Sequence, residues 1–396
     1  MACYEYGITD FQYIAAGAAI FASGGGGSYA DAVNLINELA AGGWSGSVQV
    51  GDYDGTTNCC VLAMMGSPDA ADDLTLGDVK RSLDNTLNLF QDSTGFTLGC
   101  VIPVEVGPIN SIVPLIAAAI SSNTEELWVV NGDGAGRAVP ELPQTTYGGS
   151  LTLAASPCAL ANDAEIADEV EGAMLNASTA ARIESLAGGI LGGFGSFAGI
   201  ALWPSCPGNG YALSGSYIAG TLAQAHALGE FLLNAPQPYP TAAVAERIRG
   251  ISGRVATPVV TNFYITEVSQ STTSASLDAG VIRLDNAPDP VLSTETHYIY
   301  NLNENLIMYS SLSNVPDIVA PDSICYYSES TGLGFSNASD DLSVYFDAKT
   351  GRSTGRAVSV IKVDALPQLY QAGGVVASFA GLLRNIGYAG ALPYPG

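Results

Sequence analysis

The chain has 396 residues, with 13 Lys plus Arg against 38 Asp plus Glu, for a formal net charge of −25, yet only 13% of its residues are charged. That balance leaves no basic footprint for phosphates, which excludes binding to nucleic acid or anionic membrane through bulk charge. A hydrophobic fraction of 47% argues against a disordered chain and supports a large core split into about two or three domains.

In chain order, Asp10 precedes an apolar helical run, Phe11–Phe21, and Ser23-Gly24-Gly25-Gly26-Gly27-Ser28 forms a turn before a second helix over Tyr29–Ala41. The apolar run Cys59–Met65 reads as a buried strand, and Thr75–Gln91 as a helix. Cys100–Val106 is a second strand, Ile112–Ile120 a helix and Leu127–Val130 a third strand. Strand, helix, strand in repetition points to an α/β domain over residues 1–165 with a mostly parallel sheet, whose ligand crevice lies beyond the carboxyl ends of the strands. Residues 166–396 are expected to form a mixed second domain, helical over 166–235 and β-rich over 250–365. Short strands are expected at 255–268, 279–284, 297–302, 306–309, 342–346 and 357–363.

No Asp, Glu, Lys or Arg occurs from Ser185 to Gly229. Its many glycines and the absence of flanking basic residues favour a buried segment of a soluble protein over a membrane span. Seven cysteines without a CxxC, two of them adjacent, favour free thiols and a cytoplasmic setting over disulfides or a zinc site. The N-terminus lacks the basic start of a signal peptide. With only His226 and His297, a histidine metal centre is excluded, and His226 reads as a hydrogen-bonded core residue.

Two constellations carry chemistry. The turn Gly24, Gly25, Gly26 and Gly27 presents bare amides to an anion at the start of a helix, or else is simply a tight turn. It is neither a Walker loop nor a GxGxxG after a strand, so no nucleotide cofactor is expected. Glu105, Asn110, Asp133, Arg137 and Glu141 fall in polar loops at strand ends. There a carboxylate serves as general acid or base, and an arginine holds a planar imide or carboxylate. The same residues in a chain with ten arginines equally describe a structural ion-pair network.

The segments together resemble the S-methyl-thiohydantoin desulfurase-like family. The resemblance rests on Gly24-Gly25-Gly26-Gly27-Ser28-Tyr29, Met65-Gly66-Ser67-Pro68, Pro103 to Pro114, and above all Asp133-Gly134-Ala135-Gly136-Arg137-Ala138-Val139-Pro140-Glu141-Leu142 with Thr145-Thr146. It continues in Asn303-Glu304-Asn305-Leu306 and Val315-Pro316-Asp317-Ile318. It implies an N-terminal α/β domain, a C-terminal domain, and a cytoplasmic enzyme acting on a hydantoin or thiohydantoin ring. By the same resemblance Thr145, Asn303 and Glu304 join Asn110 and the four glycines in binding substrate. Asn131 and Val139 depart from the family pattern, which has an acidic residue and a phenylalanine there.

The expected function is hydrolysis at a small cyclic imide or thioimide, breaking a C–S or C–N bond. Arg137 holds the ring, Glu105 or Asp133 activates water, Glu141 assists, and the glycine amides receive the developing negative charge. Asp133, Glu141 and Glu304 are hard-cation ligands by type, but no spacing demands a divalent metal. The competing expectation is a non-catalytic ligand-binding or self-assembling protein, with 19 tyrosines suiting an interface between copies in a homo-oligomer.

Overall fold

The computed structural model of the chain describes residues 3–66, 75–120, 127–195, 197–272 and 278–393. The family-like residues Ser67 and Pro68 lie outside that set. After strand β1 (Cys3–Tyr6), helix α1 (Ile8–Phe21) starts earlier than the apolar run suggests, because Asp10 sits inside the first turn and accepts the Gly7 amide at 2.9 Å. Helix α2 (Tyr29–Ala41) is capped by the Ser28 hydroxyl. Strands β2 (Val48–Gly51) and β3 (Cys59–Gly66) follow, then α3 (Leu76–Thr94), opened by a Thr75–Asp78 capping box. Next come β4 (Cys100–Pro103), α4 (Pro108–Ile120), β5 (Trp128–Val130), the two-residue β6 (Gly132–Asp133), β7 (Cys158–Ala161), β8 (Gly172–Leu175), α5 (Ala180–Leu191) and β9 (Phe197–Ser205). A short β10 (Ile218–Ala219) pairs with β6, and α6 (Thr221–Leu233) closes this half.

The first sheet runs β1-β2-β5-β4-β3-β9-β7-β8. Its inner pairs β2–β5, β5–β4 and β4–β3 are parallel, whereas β1–β2, β3–β9, β9–β7 and β7–β8 are antiparallel. The sheet is therefore mixed, not mostly parallel as expected. An unbroken apolar run reports burial of both faces, not strand direction. In β3, Cys60, Leu62 and Met64 enter one core while Cys59, Val61 and Ala63 enter the other.

A boundary at residue 165 falls between β7 and β8, which pair with each other. One other expectation changes: residues 166–235 are not continuously helical, because β9 is a fully embedded strand. The charge-free run from Ser185 to Gly229 includes the second half of α5, then β9, β10 and most of α6. Helix α6 lies so close to α1 that a Cβ on Gly17 would stand 1.8 Å from the Ala225 carbonyl oxygen. Among the described residues no helix is long and apolar enough to cross a membrane.

Helix α7 (Thr241–Ser252), which sequence patterning missed, leads into β11 (Ala256–Thr272), β12 (Asp278–Asp285), β13 (Thr296–Leu302), β14 (Glu304–Ser310), β15 (Pro316–Val319) and β16 (Ser323–Tyr327). The chain ends with α8 (Ser339–Ser343), β17 (Phe346–Asp347), β18 (Arg352–Ser353), β19 (Val358–Val363), α9 (Pro367–Gln371) and α10 (Val375–Asn385). The second sheet, β15-β14-β13-β12-β11-β19-β16, is antiparallel throughout. The strand expected at 342–346 is mostly α8 and its exit, since Asp340 and Asp341 favour a helix start over a strand. All seven cysteines are free, five of them buried.

The two sheets are tied by polar contacts. Ser23 accepts the Ile324 amide on its hydroxyl at 2.9 Å, and its carbonyl accepts the Asn305 amide at 2.8 Å. Arg254 donates to the Gly136 and Asp364 carbonyls at 2.8 and 2.7 Å.

Candidate functional site

A cavity of about 120 Å³ opens where the carboxyl ends of β3 and β4 meet the glycine turn and the start of β14. One water needs roughly 10–15 Å³ on the same measure, so a small organic molecule fits. Ala63, Met64, Val104, Ile109, Val139, Leu142, Leu191, Phe197 and Ile200 give it apolar walls. Four carboxylates line it as well: Glu105, Glu141, Glu184 and Glu304.

Glu105 follows β4 and is buried. Its Oε1 accepts the Asn110 side-chain amide at 2.8 Å, and its Oε2 accepts the Val139 amide at 2.7 Å. Burial still pushes its carboxyl up to about 7, these two donors only partly offsetting the loss of water. Asn110 is held in turn by the Met64 amide on its Oδ1 at 3.3 Å, so its role is to fix Glu105 against β3.

Glu304 arrives from the other sheet. The β13–β14 hairpin turns on Asn303, whose φ of 55° is a conformation that Asn tolerates better than most residues. Asn305, the residue after Glu304, is locked by the Ser23 carbonyl, the Ile324 carbonyl and the Tyr326 hydroxyl. Glu304 is thereby driven against the glycine turn, where Oε1 accepts the Gly26 amide at 3.2 Å and Oε2 has no partner. Burial lifts this carboxyl well above the usual range, the Glu105 charge adds to the shift, and Arg137 offsets it. The charge on Glu105 thus makes ionisation of Glu304 harder, and the two carboxyls lose their protons in succession.

A Cβ on Gly25 would fall 1.9 Å from Glu304 Oε1, so glycine is required there by the carboxylate, not by the backbone. Gly25→Ala is expected to displace Glu304 and abolish whatever turnover Glu304 supports, with the purified variant's ligand-binding and rate measurements as the check.

The glycine turn does not serve as a vacant anion site. The amides of Tyr29 and Ala30 at the start of α2 donate to Asp341 at 3.1 and 3.2 Å, and Ser28 donates to Asp340 at 2.6 Å. The chain's own carboxylates fill that position. Gly26 and Gly27 line the cavity, whereas Gly24 receives the Asn337 amide on its carbonyl and, like Gly25, belongs to the seam between the sheets.

Three other expected site residues have structural work instead. Arg137 is fully buried and donates to the carbonyls of Ala138, Pro321, Asp322 and Asn305 at 2.8 to 3.0 Å. It lies outside the cavity lining and joins the sheets. Asp133 folds its own loop, Oδ1 accepting the Ala135 and Gly136 amides at 2.5 and 2.7 Å, with burial raising the carboxyl to about 6. Thr145 caps its turn through the Leu142 carbonyl at 2.8 Å. None of the three lines the cavity.

Glu141 does line it, beside Glu184, which sequence reasoning missed. Burial raises the Glu184 carboxyl to about 7, the Leu142 amide at 2.9 Å partly offsets this, and the Glu141 charge adds to it. Glu184 is the last charged residue before the charge-free run, a position that marked it in the sequence. Among the described residues no group of three or more His, Cys, Asp or Glu stands close enough to hold a metal.

Neither departure from the family pattern removes a group from the carboxylate cluster. Asn131 caps α6 from a distance, its Oδ1 accepting the Ala223 amide at 3.0 Å. Asn131→Asp is expected to keep both fold and activity, whereas Asn131→Ala loses about 1 kcal/mol, read from a denaturant midpoint. Val139 forms part of the wall and gives Glu105 its backbone amide.

Residues 9–170 match the S-Me-THD-like, N-terminal domain, and residues 178–375 match the S-Me-THD-like, C-terminal domain. A protein from Chromobacterium violaceum, known from its X-ray crystal structure, is similar to this chain at 25% identity with a TM-score of 0.79; the similarity covers 98% of this chain and 99% of that one. No curated protein matches the chain significantly.

Proposed function

The chain belongs to the S-Me-THD-like family, both of whose domains it carries, and from that membership together with the geometry of the cavity we propose that it hydrolyses the C–S bond of a small S-methylated thiohydantoin-like ring. The observation that carries this reading is the pair of buried carboxyls, Glu105 from one sheet and Glu304 from the other, lining one small and largely apolar cavity. A pair sharing one proton supplies a general base and a general acid at once.

The ionised member takes a proton from water, whose oxygen adds to the ring carbon bearing sulfur. The protonated member protonates the ring nitrogen and so stabilises the adduct. Collapse forms the ring carbonyl and breaks the C–S bond. One water proton ends on the ring nitrogen and the other leaves with sulfur as methanethiol. The apolar walls suit the flat ring and its methylthio group, and they strengthen the electrostatics by excluding water.

The test is an incubation with S-methylated thiohydantoin, thiohydantoin and hydantoin, following free thiol or sulfide with a thiol reagent and ring opening by absorbance. Methanethiol release from the first compound is the expected result. A folded protein that turns over none of them, with and without added divalent metal ions, overturns the proposal.

A further inference from the structure

The four cavity carboxylates fall into two pairs with different surroundings. Glu105 and Glu304 are backed by the buried guanidinium of Arg137, which lowers both carboxyls. Glu141 and Glu184, partly exposed, have no such partner. No ion pair among the described residues includes either of them, and the cavity lining contains no Lys, Arg or His. Nor does any residue outside the described set belong to those three types. Among the described residues their side-chain oxygens accept from neutral donors alone: the Leu142 amide on Glu184 and the Gln144 side chain on Glu141 at 3.3 Å. A second observation points to a ligand with donors. Glu304 is 3% exposed, yet its Oε2 lacks any hydrogen bond, a state that is costly unless a bound group supplies the missing donor.

We infer that the substrate carries a cationic arm: its ring lies by Glu105 and Glu304, and an ammonium or guanidinium on a short aliphatic stem reaches the Glu141–Glu184 pair. Val139, Leu142 and Leu191 supply apolar wall for the methylenes, as long basic side chains lay their stems on apolar surface while the charged end finds a polar one. A carboxylate arm meets only like charge there. The placement of the ring rests on the proposed function; the selection of a cation by Glu141 and Glu184 does not.

One or two charge-assisted hydrogen bonds give a preference of about 10- to 100-fold. A cation beside Glu184 also draws down a carboxyl that burial holds up to about 7, so binding at pH 7 releases protons.

The experiment is calorimetric titration of the full chain with 5-(4-aminobutyl)hydantoin, 5-butylhydantoin and 5-(3-carboxypropyl)hydantoin, with n-pentylamine as a ringless probe. Each titration is run in two buffers of different ionisation enthalpy. The aminobutyl compound is expected to bind about 10- to 100-fold more tightly than the butyl compound and to release protons, and the carboxypropyl compound to bind most weakly. In Glu141→Gln/Glu184→Gln the ratio of aminobutyl to butyl affinity falls to about one. Glutamine keeps an oxygen for the Leu142 amide, and an unchanged thermal midpoint verifies the fold. Equal binding of aminobutyl and butyl compounds, or an amine preference that survives the double variant, overturns the inference. Hydantoins that bind no better than n-pentylamine, while the amine preference persists and vanishes in the double variant, count against the ring chemistry and leave the cation site standing.

Discussion

Replacing Glu105 or Glu304 with glutamine is expected to lower kcat/KM for thiol release about 100- to 10,000-fold, the usual worth of a positioned general acid or base. Glutamine retains an oxygen for the Val139 amide at one position and for the Gly26 amide at the other. At position 105, however, its NH2 faces the Asn110 amide donor, so the thermal midpoint is read beside the rate to separate lost proton transfer from lost hydrogen bonding. The pH profile separates the two roles. When both carboxyls are protonated the pair has no base, and when both are ionised it has no acid, so the wild-type profile is bell-shaped. Burial raises Glu105 to about 7 and Glu304 well above its usual range. Activity therefore rises as pH increases through the lower apparent value of the pair and falls through the upper one. Removing one member abolishes the two-limbed shape. A variant that keeps wild-type kcat/KM and both limbs excludes that residue from the chemistry.

Arg137→Met is expected to cost about 3–5 kcal/mol of stability, the range found when one partner of a buried charge arrangement is removed. The substitution strips donors from the carbonyls of Asn305, Pro321 and Asp322, all in or beside the second sheet. It also removes the positive charge that offsets burial of Glu304. Arg137→Lys restores the charge but not the fork of donors, so an intermediate loss is expected. Urea denaturation with an activity assay on the remaining folded fraction is the measurement. An unchanged midpoint with a raised KM would show instead that Arg137 holds substrate, the role its sequence position suggested.

Arg137 shows why local sequence is a weak guide to such roles. Its setting, Gly136-Arg137-Ala138, is that of a ligand clamp, because three of the four carbonyls that bind it lie 168 to 185 residues away along the chain. Asp133 misleads for a local reason: a short acidic side chain after a glycine caps its own loop as readily as it does chemistry. Glu105, Glu141, Asn110, Asn303 and Glu304 do reach the cavity, as do Gly26 and Gly27.

The patterning of apolar runs and turn residues sufficed to locate α2, α3, β3, β5 and most strands of the second sheet, since period, caps and glycine turns act over a few residues. The scarcity of charge made the acidic residues of the strand-end loops conspicuous. Strand direction, the mixed character of the first sheet and the embedding of β9 depend on pairings between distant segments, which no local period encodes. The same holds for the site. Glu105 becomes a shifted acid because segments distant in the chain bury it, and Glu304 reaches the same cavity only through a hairpin locked by Asn305. The helix start that seemed open to an anion is filled by Asp341 from more than 300 residues downstream.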